Sequence, residues 1–229
     1  MNLTRLALAL GLTALPYIAH AYDGPIHFEA GLGLSTFTTL ADGTWYQQGL
    51  PHTLNLKHMG ATAGFTGELY AHGNWSLRYH LDYVFVGHVS SDAMATPDDA
   101  NYSVKTHSCI GACLPLAEYV GNGNDQGVVL SLQPTYTFPH DIAVGFEAGI
   151  YVHRATWHET VYNWFTPGTT IHADYRPKWQ VAPMVGANVS WGNTTISYRY
   201  LFNQSHWDAT NSVPAIWKGT HMLTIMEVF

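Results

Sequence analysis

From Ile26 onward the chain alternates apolar and polar residues through eight separate segments, the period of two that marks strands and not helices. The first sets Ile26, Phe28, Ala30, Leu32 and Leu34 against His27, Glu29, Gly31, Gly33 and Ser35. The second, roughly 61 to 71, sets Ala63, Phe65 and Leu69 against Thr62, Gly64, Thr66 and Glu68. The third places Leu77, Tyr79, Leu81, Tyr83, Phe85 and Val89 opposite Ser76, Arg78, His80, Asp82 and His88. The other five follow the same rule at about 127–138, 142–153, 179–191, 195–202 and 220–229.

The connections carry as much information as the strands. Gly73-Asn74, Pro139-His140-Asp141 and Gly192-Asn193 read as tight turns after segments two, four and six, whereas 36–60, 90–126, 156–177 and 203–219 are long. Strict long-short alternation, with most strands reaching the 9 to 11 residues or so that a tilted strand needs to cross a bilayer, predicts an all-β fold: an eight-stranded antiparallel up-and-down transmembrane β-barrel. Trp179 and Trp191 fall at opposite ends of one apolar face, about 30 Å apart once strand rise and tilt are counted. They are read as an aromatic girdle at the two interfaces. Pro134 and Pro183 interrupt segments four and six, and bulges are expected there.

A soluble β-sandwich or lipocalin-like barrel with an apolar core would also show period two. The opposite face separates the cases, because nearly all strand charge lies on it: Glu29, Glu68, Arg78, Asp82, Glu147, Lys178 and Arg199. These seven are expected to form an ion-pair network filling a polar lumen, with the apolar face turned to lipid. Composition agrees, since 47% of residues are hydrophobic and only 11% charged, against about a quarter in ordinary soluble domains.

The first residues are set apart from the barrel. Arg5 precedes an apolar run from Leu6 to Leu15, too short to span, and Ala19-His20-Ala21 supplies a cleavage site, so 1–21 is expected to be a signal peptide and 22–229 the barrel. Its removal takes Arg5 and no acid, so 9 basic and 16 acidic residues become 8 and 16, a net charge of −8. Nucleic acid is therefore not an expected partner. Export also exposes Cys109 and Cys113 to oxidation, and a local disulfide is expected between them; a metal site using His107 is the alternative.

These features together resemble the small outer-membrane barrels of the OmpA transmembrane domain and the OmpX/Ail/Lom class: a cleaved signal, eight alternating strands, four long loops, and the terminal Phe229 after His221-Met222-Leu223-Thr224-Ile225-Met226-Glu227-Val228. The resemblance implies an integral protein of a Gram-negative outer membrane, with outer-membrane lipid around it and Phe229 as the signal read by the barrel-assembly machinery. Glu227 departs from the apolar residue expected two places before the end, which leaves the register of the last strand open. No further module is expected after the barrel.

Eight strands enclose an interior that side chains can fill, which argues against a general pore. The leading expectation is a structural or surface-interaction role, adhesion by the resemblance, with host or cell-surface ligands met by loops that hold Trp45, Tyr46, Tyr102, Tyr119, Trp157, Tyr162, Trp164, Phe165, Trp207 and Trp217. A narrow small-solute channel and an enzyme acting on outer-leaflet lipid are the alternatives. For the enzyme, Ser205 and His206 are adjacent, and neighbours in an extended chain face opposite ways, so no catalytic residue is assigned. The loop histidines His52, His58, His107, His158, His172 and His206 are scattered, and neither a metal nor a cofactor is assigned to them.

Overall fold

A computed structural model describes residues 26–38, 52–55, 57–95, 101–103, 105–106, 108–111, 114–176, 178–203 and 219–229. The expected signal peptide, Cys113, His107 and the loop residues Trp45, Tyr46, Ser205, His206, Trp207 and Trp217 lie outside these residues. Twelve strands are described: β1 (Ile26–Thr38), β2 (His52–Asn55), β3 (Lys57–His72), β4 (Trp75–Ala95), β5 (Tyr102–Ser103), β6 (Ser108–Cys109), β7 (Ala117–Thr137), β8 (Ile142–Tyr162), β9 (Thr170–Tyr175), β10 (Gln180–Trp191), β11 (Thr194–Phe202) and β12 (Gly219–Val228).

Eight of them close a ring. Going round, β1 pairs with β3, then β4, β7, β8, β10, β11 and β12, and β12 returns to β1, every pair antiparallel. The tight turns all fall at one end. Gly73 and Gly192 take left-handed φ of 59° and 56°, and in the third turn both His140 and Asp141 are left-handed while Phe138 N–H donates to Ile142 C=O at 2.7 Å. The predicted fold is the observed one.

The prolines behave differently from expectation. The β7–β8 register runs without a shift from Leu132↔Ala148 to Thr135↔Gly145, so Pro134 makes no bulge, and Pro183 sits in an unbroken β8–β10 register opposite Ile150. Both face outward. The register shifts fall instead on β3 between Glu68 and Tyr70, and on β4 between Phe85 and His88, where Gly87 adopts φ +86°. An extra residue inverts the phase of a strand. Val89, expected outside, is therefore fully buried, and His88, expected inside, is exposed.

Three walls are much taller than predicted. β4, β7 and β8 each run for 21 residues, whereas β11 has 9 and β12 has 10. β2 adds to the top of β4 and β9 to the top of β8, so a sheet continues beyond the ring on one side. Much of what reads as loop in 90–126 and 156–177 is thus paired strand.

Along β8 the two faces exchange character. In the lower part Ile142, Val144, Phe146, Ala148 and Ile150 point outward and are exposed, while Glu147 is buried. Higher up Arg154, Thr156, His158 and Thr160 take the outward positions, and Ala155, Trp157 and Val161 are buried. The outward apolar run from 142 to 152 covers 11 positions, the length of one bilayer crossing at a strand tilt near 45°.

Candidate functional site

The ring gathers a layer of charge inside it. Inward positions on four strands contribute Glu29 from β1, His80 and Asp82 from β4, Glu147 from β8 and Arg199 from β11, all buried. Arg199 bridges two carboxylates, its Nη2 lying 2.6 Å from Asp82 Oδ2 and its Nε donating to Glu147 Oε2 at 2.9 Å. Ser131 donates to the other Glu147 oxygen at 2.5 Å. Glu29 Oε1 meets His80 Nδ1 at 2.6 Å. Beside this group Asn188 donates to Gln133 and Gln133 to Thr135, a neutral polar chain from β10 to β7.

Of the seven charged residues expected in the lumen, Glu29, Asp82, Glu147 and Arg199 come together. Arg78 is half-buried at the turn end, on the wall of an open cavity of about 220 Å³ shared with His27, Asn193, Thr195, Val228 and Phe229. Glu68 and Lys178 are exposed and do not join the group. Glu68 lies at the β3 register shift near a turn, and Lys178 precedes the start of β10, so strict alternation has ended at both positions.

Sequence reasoning left out several members. His80 and His153 both stand on polar-facing positions, but the acids and bases that mark the lumen face in the sequence do not single them out. Asp125 lies in a stretch that reads as loop; both of its carboxylate oxygens are 3.0 Å from His153 Nδ1. Tyr151 stacks on His153 with centroids 4.6 Å apart and planes 8° from parallel. Around and above this pair the interior is apolar, with Phe37, Val84, Val86, Val89, Trp157, Met184, Leu201 and Met222 all buried.

Trp179 and Trp191 are exposed at opposite ends of the β10 wall, 57% and 45%. Trp75, Tyr136 and Phe138 add an edge-to-face aromatic row at the turn end. Phe229 lies at the β12–β1 seam, its N–H donating to Phe28 C=O at 2.8 Å and its ring 5.9 Å from that of Phe28. The β12 register runs unbroken to Val228, and Glu227 sits at the half-exposed rim, accepting from Thr194 Oγ1 at 2.7 Å. Cys109 lies in β6 while Cys113 is outside the described residues, so the disulfide expectation stands as a proposal.

The raised wall has its own chemistry. On its outer face His158 Nδ1 lies 2.6 Å from Asp174 Oδ1, and His172 pairs with Thr160 at 3.1 Å. The His158 hydrogen bond holds the Asp174 carboxyl below its ordinary value. On the inner face burial pushes Glu159 up to about 7, and burial together with Glu159 raises the Tyr119 phenol. Tyr119, Trp164 and Phe165 form an aromatic run at the top of the wall, and Asn163 and Phe165 are left-handed at φ 58° and 57°.

No protein-family model and no curated protein matches the sequence. Among solved structures the chain is similar to Ail, the attachment invasion locus protein of Yersinia pestis, at 11% identity and TM-score 0.43, over 91% of this chain and 100% of that one. The same protein in complex with the heparin analogue sucrose octasulfate aligns at 11% identity and TM-score 0.35, over 89% and 97%.

Proposed function

We propose that the chain is an integral barrel of a Gram-negative outer membrane, exported by residues 1–21, with a plugged lumen and a surface-interaction or structural role carried by the raised β4–β7–β8 wall and its loops. The exchange of polarity along β8 carries this reading. A soluble barrel has no reason to be apolar outside for 11 residues and polar outside for the rest, whereas a strand leaving a bilayer for water has. Surrounding lipid is the partner of the lower exterior.

The lumen reading rests on the Arg199 bridge and on the apolar layer of Val84, Val86, Met184 and Met222, which leave side chains where a pore would need water. The wall supports an interaction role because it holds aromatic and hydrogen-bonding side chains on paired strands above the membrane, where a ligand on another cell surface would meet them. Phe229 is the proposed assembly signal, at the seam where the ring closes.

Gel mobility before and after boiling in detergent, with carbonate washing of membranes, tests the membrane reading. Faster migration unboiled and resistance to carbonate are expected, and easy extraction with no shift would return the apolar exterior to a soluble assembly. Planar-bilayer recording tests the plug, for which no steady conductance is expected. Loss of cell-surface binding on replacing 163–169 by a short turn tests the wall.

A further inference from the structure

We propose that Glu29, His80 and Asp82 form a binding site for one divalent first-row transition ion, of the Zn²⁺ class, inside the barrel. Each side chain offers a ligand atom, and the three atoms lie within 4.8 Å of one another. Two carboxylates and an imidazole are a donor set that Zn²⁺ and its neighbours accept. Bond lengths near 2.0 to 2.2 Å put tetrahedral ligands about 3.4 Å apart, so side-chain rotation of about an ångström closes the site.

Charge supplies an independent reason. Three carboxylates, Glu29, Asp82 and Glu147, share the buried layer with one guanidinium, Arg199. With a neutral imidazole and all three carboxyls ionised, the layer holds two uncompensated negative charges, a costly state away from water that bound protons or a dication would cancel. Hydrogen bonding is incomplete at the same place. The Asp82 carboxyl, 0% exposed, lies against Arg199 and the Glu29 carboxyl and accepts no hydrogen bond in good geometry. Orphaned buried acceptors call for a ligand.

Space and access also fit. A void of about 10 Å³, room for a single water or ion, touches Glu29 and His80, with Glu147 and Arg199 beside them and Asp82 outside its lining. Its walls share Arg78, Thr195 and Val228 with the open cavity at the turn end, which marks the side from which an ion arrives. In the bound form the ion replaces the His80–Glu29 hydrogen bond, and Arg199 keeps Glu147.

The test uses the full mature chain folded in detergent, stripped with EDTA and reloaded with Zn²⁺ or Co²⁺, then desalted. Elemental analysis should find one ion per folded chain, Co²⁺ should give visible d–d absorption, and Zn²⁺ should raise the temperature at which the compact gel band is lost. His80→Gln should weaken binding by at least about 100-fold, beyond the 10- to 100-fold typical of outer-layer partners. The double variant His158→Gln/His172→Gln, on the outer wall, should bind as the wild type does. A wild-type chain that retains no ion and shows no cobalt spectrum overturns the proposal, as does full retention in His80→Gln. In the first case the layer is balanced by protons. Asp82→Asn also disturbs Arg199, so His80→Gln and the wild-type cobalt spectrum decide.

Discussion

Arg199 and Asp82 meet across the lumen from strands that are not neighbours in the ring, with 2.6 Å between Nη2 and Oδ2. The contact ties β11 to β4 through the interior, and the Glu147 bond ties β11 to β8 in the same way. The guanidinium is a crossbeam as well as a counter-charge.

Arg199→Met should therefore destabilise the barrel by about 3–5 kcal/mol, the cost of leaving buried carboxylates without their partner. The measurement is the unfolding midpoint of the compact gel band in urea. Arg199→Lys should fall between the two, since an ammonium keeps the charge but not the planar fork.

The boundary on β8 predicts opposite outcomes for one substitution at two heights. Phe146→Arg puts a charge against lipid and should cost about 2–4 kcal/mol, or block insertion, whereas Thr156→Arg lies above the band and should cost about 0–1 kcal/mol. Folding yield into lipid vesicles checks both. Equal effects would mean that the outward run does not end at Val152.

Gly121 lies under the Trp157 indole, so close that a Cβ there would overlap Cζ2 and crowd Ser91 Oγ. Gly121→Val should displace Trp157, at a cost of about 1–3 kcal/mol for overpacking. A red-shifted tryptophan emission and faster proteolysis of the wall are expected, with the membrane-embedded ring unaffected.

Glu159 gives the wall a pH dependence. Its folded pKa, raised to about 7 by burial, exceeds the ordinary carboxylate value of 4.5. The folded state therefore holds the proton more tightly, and the wall is most stable below about pH 4.5, losing stability as pH rises to about 7 and levelling beyond. Hydrogen exchange of 155–162 as a function of pH reads this, and Glu159→Gln should flatten the slope.

The ring, its turns and its outward face were legible because period two survives wherever one face of a strand is apolar and the other polar. Glu29, Asp82, Glu147 and Arg199 were found for the same reason. Higher up the wall the outward face turns polar and the inward face apolar, so alternation no longer marks which face is buried; Trp157, which reads as a loop residue meeting ligands, is buried in the wall, and Glu159 and Asp125 lie in segments that read as loops. Val89 and His88 were inverted because a bulge at Gly87 leaves no mark beyond a single glycine. Glu68 and Lys178 show the converse, charged side chains at the right parity but past the point where the ring imposes it.

The unequal strand lengths give the molecule a bearing. A barrel with a level rim looks alike from every direction in the plane of the membrane, but here the paired sheet stands up over β4, β7 and β8 while β11 and β12 stop short. Whatever touches the wall does so from one compass point. Rotation of the protein about its own axis, a slow motion in a crowded outer membrane, would then decide when a partner approaching sideways finds its face, while a partner descending from above would be indifferent to it.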